Sequence, residues 1–174
     1  MEQAGDIIRL KRGMYVVAPT ISHQSLSTEL IANHLYAPSY LSCLSALRYY
    51  GLTPEQVCQT QSMTIKHART FSTSLGEFSY MNISREAFSV GVTNIIDNGY
   101  SFIIATPEKA LCDLIATSPQ VTLRYITDAQ RYLEEDIRFD MDAFAQMNKG
   151  IFLEYIAVGK KASSIQTILK LLER

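Results

Sequence analysis

Three charged residues close together in the sequence could form a catalytic or binding site. Glu108, Lys109 and Asp113 follow Thr106 and Pro107, a pair that favours the start of a helix because Thr caps it and Pro fits its first position. A helix N-terminus can hold an anion, so this cluster could serve an enzyme that acts on nucleotides or nucleic acid. Complementation of the helix dipole by Glu108 and an i,i+4 ion pair between Lys109 and Asp113 explain the same residues structurally, and we favour that interpretation.

Basic residues suited to phosphate contacts occur in two places. Arg9, Lys11 and Arg12 surround the expected tip of a hairpin, while Lys66 and Arg69 lie between two expected strands. A basic hairpin tip is what the wing of a winged-helix domain offers to DNA phosphates. The formal net charge is −1, whereas dedicated nucleic-acid binders usually carry a basic excess. Ordinary solvated turns would have the same composition, and from composition alone we favour that interpretation for both sets.

No motif for metal binding, cofactor binding or nucleophilic catalysis is found in the sequence. The three His and three Cys residues lack the spacing of metal ligands or of a disulfide framework. The nucleophile elbow, the phosphate-binding loop and the dinucleotide fingerprint are absent. The acidic residues of the segment 134–142 are typical of a solvated helix face. We therefore predict no catalytic residue, no metal, no cofactor, exposed histidines and mostly buried, reduced thiols.

The N-terminal part of the chain is predicted to hold a hairpin followed by helices. Apolar runs on both sides of Gly13 predict a β-hairpin over residues 7–17. Ser27 or Thr28 can cap the first helix, and Gly51 is suited to end the second. The expected helical segments are residues 28–35, 40–50 and a short turn over 54–58.

The middle of the chain is predicted to form strands and the last third to form helices. β-branched and aromatic residues dominate five segments, and Asn98-Gly99 is a strong hairpin signal between the last two. The expected strands are residues 61–65, 69–74, 77–83, 89–96 and 100–106. Beyond the helix that begins near Pro107, further helices are expected near residues 122–134, 140–148, 151–158 and 161–173. The last has an amphipathic face that could complete the core or dock a partner in a plain interaction module.

These elements together indicate an α+β fold with a mostly antiparallel sheet, packed helices and a helical C-terminal third. No stretch approaches the roughly eighteen apolar residues of a membrane span, and the N-terminus lacks a signal-peptide pattern. We therefore expect a cytoplasmic protein without a membrane partner.

Four ordered blocks of this sequence resemble the AbiEi-type antitoxins of type IV toxin–antitoxin systems. Order and spacing agree from about residue 9 to residue 115. The blocks are residues 12–15 (RGMY), 38–55 (beginning PSYLS and ending YGLTPE), 62–80 (beginning SMT and ending GEFSY) and 104–114 (IATPEKALCDL). Leu44 departs from the family pattern, which has Glu at that position.

The resemblance implies a winged helix joined to an α+β antitoxin domain. It divides the chain into a wing-like hairpin, residues 1–18, as the remnant of a winged helix, and an antitoxin-like domain, residues 19–174. It also implies a regulatory protein that is not an enzyme. Such a protein represses its operon through DNA and counteracts its cognate toxin, a nucleotidyltransferase-like protein, without needing a stable complex. Candidates for a partner-facing surface are Glu77, Glu108, Lys109 and Asp113.

DNA binding by this chain is expected to be weak. The family pattern places recognition helices before the wing, and only eight residues precede Arg9. The remaining contacts would be phosphate contacts from Arg9, Lys11 and Arg12. Because phosphate contacts position a protein without reading sequence, we expect salt-sensitive and largely non-specific binding.

Overall fold

The N-terminal segment forms the predicted hairpin. The structure, a computed structural model, describes residues 5–56 and 58–174. Strands β1 (Ile7–Lys11) and β2 (Met14–Val17) pair antiparallel as a separate two-stranded sheet. Gly13 has a φ of 76°, a left-handed conformation that glycine adopts without steric cost. The hairpin prediction is therefore confirmed.

Six strands form the main sheet, in the order β5-β6-β4-β3-β8-β7. The pairs β4–β6 and β3–β8 are parallel and the other three pairs are antiparallel, which confirms a mostly antiparallel sheet. The Asn98-Gly99 turn joins the last two strands, with φ values of 49° and 81°. The strands are β3 (Ser39–Leu41), β4 (Gln59–Thr64), β5 (Arg69–Thr73), β6 (Gly76–Asn82), β7 (Val92–Asp97) and β8 (Tyr100–Ala105).

Helices connect the strands and form the C-terminal third. The predicted caps are present, because the Ser27 hydroxyl accepts from Leu30 N at 3.1 Å and the Thr106 hydroxyl accepts from Lys109 N at 3.4 Å. The helices are α1 (Pro19–Ser22), α2 (Thr28–Leu35), α3 (Cys43–Tyr49), α4 (Arg85–Phe88), α5 (Pro107–Thr117), α6 (Ile126–Arg131) with a π-helical turn over Tyr132–Asp136, α7 (Met141–Ala145), α8 (Lys149–Val158) and α9 (Ala162–Leu172). None of the helices in the described ranges is long and apolar enough to cross a membrane.

Two helix predictions are wrong. The segment 40–50 begins as strand β3, and its helix starts only at Cys43, because Ser39–Leu41 is buried between β4 and β8 and its backbone pairs with both. A short apolar run does not distinguish a buried strand from a helix by periodicity. Residues 52–56 have no regular secondary structure, and Val57 lies outside the described residues.

The strand predicted over residues 89–96 is displaced, because the structure places β7 at Val92–Asp97 and the turn of helix α4 just before it. The Ser84 hydroxyl accepts from Ala87 N at 3.3 Å and starts that turn. A strand covering residue 89 would have to replace this capped turn.

Two hydrophobic cores hold these elements together. The main core lies between the sheet and helices α3, α5, α8 and α9, and it includes Ile165, Ile168 and Leu169 of α9. The amphipathic face of α9 therefore completes the core and is not free to dock a partner. A smaller core joins the hairpin, α2 and β6 through Leu10, Ile31, Ala32, Leu35, Phe78 and Tyr80.

Candidate functional site

The structure brings the two predicted basic sets together around the same aromatic rings. Lys11 Nζ of β1 lies 5.7 Å from the Phe71 ring centre, and Arg69 Cζ of β5 lies 4.7 Å from it. Lys66 Nζ, in the β4–β5 connection, lies 5.1 Å from the Tyr36 ring centre. The two ring centres are 5.6 Å apart. We call this surface, formed by Lys11, Lys66, Arg69, Tyr36 and Phe71, the basic aromatic face.

The rings of the basic aromatic face are held in place from beneath by Tyr80. This buried residue makes edge contacts with Tyr36 at 5.3 Å and with Phe71 at 5.8 Å between ring centres. Its hydroxyl donates to Ala32 O at 2.6 Å. Tyr36 and Phe71 are half-buried and pack on the smaller core, and the exposed residues Lys66 and Arg69 lie over the two rings.

A groove between β1 and β5 continues from the basic aromatic face. Its volume is about 620 Å³, and one wall contains basic and apolar residues of the hairpin while the other contains the end of β5. Arg9, Lys11 and Arg12 line the first wall, and residues 72–74 (SST) line the second. Lys11 also donates to Leu35 O, at the C-terminus of α2, with a distance of 2.6 Å. That hydrogen bond fixes the hairpin against α2 and places the cation at the favourable end of the helix dipole.

Arg69 and Lys66 are exposed residues, as are Arg9 and Arg12. Among the residues that the structure describes, none of these four side chains forms a salt bridge. Cations that are free of carboxylate partners can accept phosphate oxygens without first breaking an ion pair, and so this surface is suited to phosphate contacts.

Glu77 is exposed on β6, where it faces Ser72 of β5. Its carboxylate accepts from Gln59 Nε2 at 2.8 Å and from the Ser72 hydroxyl at 3.4 Å. Arg69 of β5 lies opposite Tyr80 of β6, three residues along the strand from Ser72. Because Glu77 lies opposite Ser72, Glu77 is about 10 Å from Arg69. Glu77 therefore contacts the groove residue Ser72 without neutralising the basic aromatic face.

Lys109 and Asp113 lie in the core, which corrects the prediction that they face a partner. Both side chains have an exposed fraction of 0%, and Lys109 Nζ is 3.4 Å from Asp113 Oδ1. The i,i+4 ion pair is as predicted. The sequence signal did not reveal that helix α8 covers the pair from outside, with the Tyr155 ring centre 4.5 Å from Lys109 Nζ.

Hydrogen bonds from β3, Ser42 and α4 hold this buried pair in place. Within the described residues Asp113 Oδ1 accepts no hydrogen bond and has the Lys109 ammonium at 3.4 Å as its ion-pair partner. Asp113 Oδ2 accepts from the Tyr40 hydroxyl at 2.9 Å and from the Ser42 hydroxyl at 2.7 Å. Lys109 Nζ donates to Ala87 O at 2.6 Å. Burial raises the pKa of Asp113, an effect that Lys109 and the two hydroxyls oppose, and burial lowers the pKa of Lys109 against the pull of Asp113. The arrangement is a charged tie between α5, α4 and β3.

Glu108 also has a structural role. Its exposed fraction is 9%, and its Oε1 accepts from Asn148 N at 2.8 Å. This contact links the start of α5 to the start of α8, because Asn148 caps α8. The predicted trio is thus not a surface, and its members join four elements of the core.

A cavity of about 210 Å³ lies beside the buried pair, between β6, α4, α5 and the end of α8. Tyr155, Gly159 and Lys160 line one side of it, and Asn82 and Ser84 line another. Within the described residues no group of three or more His, Cys, Asp or Glu side chains could hold a metal ion. Cys43 and Cys112 are buried free thiols, whereas Cys58 is exposed, and the three histidines are exposed as predicted.

The sequence interpretation missed the aromatic members of both clusters. Tyr36, Phe71 and Tyr155 are single aromatic residues in segments whose predicted role was packing alone. The segment from Lys66 to Phe71 holds two of the cations and one of the rings of the basic aromatic face, and nothing in the sequence places Tyr36 or Lys11 beside them. Tyr40 and Ser42 belong to the second block of the resemblance, and the fourth block supplies Lys109 and Asp113.

Comparison with known proteins adds no further assignment. No protein-family model matches the sequence, and no curated protein matches it either. The residues of the second and fourth blocks nevertheless meet in the structure, since Tyr40 and Ser42 bind Asp113 directly. The second and fourth blocks therefore contribute to one buried hydrogen-bonded cluster, and the family assignment remains a prediction.

Proposed function

We propose that this chain is an antitoxin-like regulatory protein that counteracts a nucleotidyltransferase-like toxin and contacts nucleic acid through its basic aromatic face. The observation that carries the proposal is the meeting of Lys11, Lys66 and Arg69 around Tyr36 and Phe71. These residues come from three separate segments of the chain. Their convergence on one accessible surface, next to a groove with further cations, supports a binding role in a chain whose net charge is only −1.

The competing enzyme hypothesis loses its main support. It required Glu108, Lys109 and Asp113 to meet a substrate at the start of α5. Lys109 and Asp113 are fully enclosed, and each is already engaged by other residues of the core. We therefore propose that the chain acts by binding. Contacts with phosphates do not by themselves read a nucleotide sequence.

Growth rescue in a bacterial host tests the proposed function. The gene adjacent to the one encoding this chain is expressed under tight control, with and without the full chain. We expect arrest of growth by the neighbouring protein alone and restored growth when the chain is present. A chain in which Arg9, Arg12, Lys66 and Arg69 are all replaced by Gln should restore growth at least tenfold less in colony count, because a charge-based contact of a few kcal/mol is lost.

The control for this experiment is Lys170→Gln, which removes an exposed cation on α9 in the C-terminal third. It should rescue as the unmodified chain does. An adjacent protein that is toxic and is not counteracted by the folded, unmodified chain would contradict the proposal.

A further inference from the structure

We propose that the basic aromatic face and its groove bind single-stranded nucleic acid, with bases stacked on Phe71 and Tyr36 and the backbone along the cations. This inference rests on the proposed function, for which it names the class of ligand. It also extends to a chain that has no antitoxin role, because the surface itself carries the chemistry. Proteins that bind single strands combine a positive groove with aromatic side chains on which bases stack.

The aromatic part of the surface provides two stacking positions. Tyr36 and Phe71 are tilted by 57° to each other at 5.6 Å, and Tyr80 beneath them prevents their collapse into the core. Unstacked bases of a single strand can also lie on the plane of an Arg guanidinium. Arg69 presents such a plane, since it sits 4.7 Å above the Phe71 ring and is exposed.

The cationic part of the surface matches the path of one backbone. Lys66 and Arg69 flank the rings, and the groove leads from there past Lys11 to Arg9 and Arg12. Its opposite wall is formed by Ser72, Thr73 and Ser74. The Ser72 hydroxyl donates to Glu77 and the Thr73 hydroxyl donates to Gly76 O, so the Ser74 hydroxyl is the one that we expect to meet a phosphate or sugar oxygen. Five cations border this path.

A duplex fits this surface less well. In a duplex the bases are stacked on one another and paired, so their faces cannot reach Tyr36 or Phe71. Sequence-reading proteins enter the duplex major groove with a projecting helix or β-ribbon, whereas here the cations line an open, shallow groove. The half-buried rings would remain unused in a duplex complex, and only phosphate contacts would act.

Fluorescence anisotropy with the full chain tests the inference. The probes are a labelled RNA strand of roughly twelve nucleotides, a DNA strand of the same mixed sequence and the corresponding DNA duplex, a length within the usual range of single-strand sites. We expect both strands to bind at least tenfold more tightly than the duplex, and the comparison of RNA with DNA identifies the preferred strand. The logarithm of the binding constant should fall with the logarithm of salt concentration with a slope of about −3.5, for five neutralised phosphates.

Two variants separate stacking from charge. Phe71→Leu should weaken single-strand binding roughly tenfold without changing the salt slope, because one stacked base is lost. Arg69→Gln, at an exposed position, should lower both the affinity for the single strand and the magnitude of the salt slope, the latter by about 0.7. The control Lys170→Gln should change neither quantity. Circular dichroism checks that Phe71→Leu is folded. If this variant does not fold, Arg69→Gln still tests the inference.

Equal or tighter binding of the duplex, with Phe71→Leu and Arg69→Gln indistinguishable from Lys170→Gln, would overturn the inference while leaving phosphate contacts intact. Growth rescue by a chain that binds none of the probes would also overturn it, and the antitoxin role would stand. Single-strand binding without rescue would support the inference and remove the proposed function.

Discussion

Removing either charge of the buried pair is expected to lower the free energy of unfolding by about 3–5 kcal/mol. Asp113→Asn leaves the Lys109 ammonium enclosed without a counter-charge, and Lys109→Met leaves an enclosed carboxylate. The expected cost is large because the side chains of Lys109 and Asp113 are both fully buried. Urea unfolding, followed by circular dichroism, measures each change.

The double variant Lys109→Met with Asp113→Asn should be much less destabilised than the sum of the two changes. Asn still accepts from the Tyr40 and Ser42 hydroxyls, and Met packs between the Tyr40 and Tyr155 rings that now lie 5.6 and 4.5 Å from the ammonium. We expect a coupling free energy of about 2 kcal/mol or more.

The surface pair Arg138–Glu55 provides the control for this cycle. Its atoms are 2.7 Å apart, but its side chains are 61% and 30% exposed. Arg138→Gln should therefore cost less than about 1 kcal/mol. If Asp113→Asn and Lys109→Met each lower the free energy of unfolding by less than about 1 kcal/mol, and the two losses simply add, the structural role of the buried pair is contradicted.

Gly159→Ala is expected to destabilise the protein by about 1–3 kcal/mol, since a methyl group at this position overlaps the ring of Tyr155. The Cβ would lie 2.8 Å from Tyr155 Cζ and closer still to two other ring atoms. The ring cannot swing away without losing its contact with Lys109, and Gly159 N is tied to Tyr155 O at 2.7 Å. The backbone at Gly159 is extended, with a φ of −93°, so the effect is one of contact alone.

Gly150→Ala, in the first turn of the same helix, is the matched control. The nearest atom to its new methyl group is Asn148 Oδ1 at 3.0 Å, and this exposed side chain has to shift only by a few tenths of an ångström, which keeps its capping hydrogen bond from Gly150 N. Alanine also favours a helix by about 1 kcal/mol over glycine, so we expect little change or a slight gain. Thermal unfolding of both variants checks the pair, and an equal melting temperature for Gly159→Ala and the unmodified chain would contradict the proposed packing.

Local signals predicted the elements of the fold well. The glycine at a hairpin tip, the Asn-Gly turn and the Thr-Pro-Glu start of α5 each have one low-energy backbone solution, so the sequence determines them locally. The segment at Tyr40 was different. Its strand exists because β4 and β8 pair with it on both sides, and neighbours distant in sequence decide that.

The candidate site was predicted only in its parts. The cations near Lys11 and those near Arg69 were identified separately, because nothing in the spacing shows that β5 lies against β1. Likewise, the i,i+4 pairing of Lys109 with Asp113 follows from helix geometry, whereas its burial requires Tyr155 of α8 and Ala87 of α4. The tertiary fold therefore buries Lys109 and Asp113, which were candidates for a surface. It also brings two separate basic segments together in the basic aromatic face.

Hydrogen–deuterium exchange of the full chain, with and without a saturating single-stranded oligonucleotide, tests most directly that the basic aromatic face is the working surface. We expect slower exchange in residues 7–14 and 66–73, which contain the groove and Phe71. Residues 84–88 and 155–160, around the cavity beside α8, should be unaffected. Protection confined to those cavity segments, or no change anywhere, would contradict it.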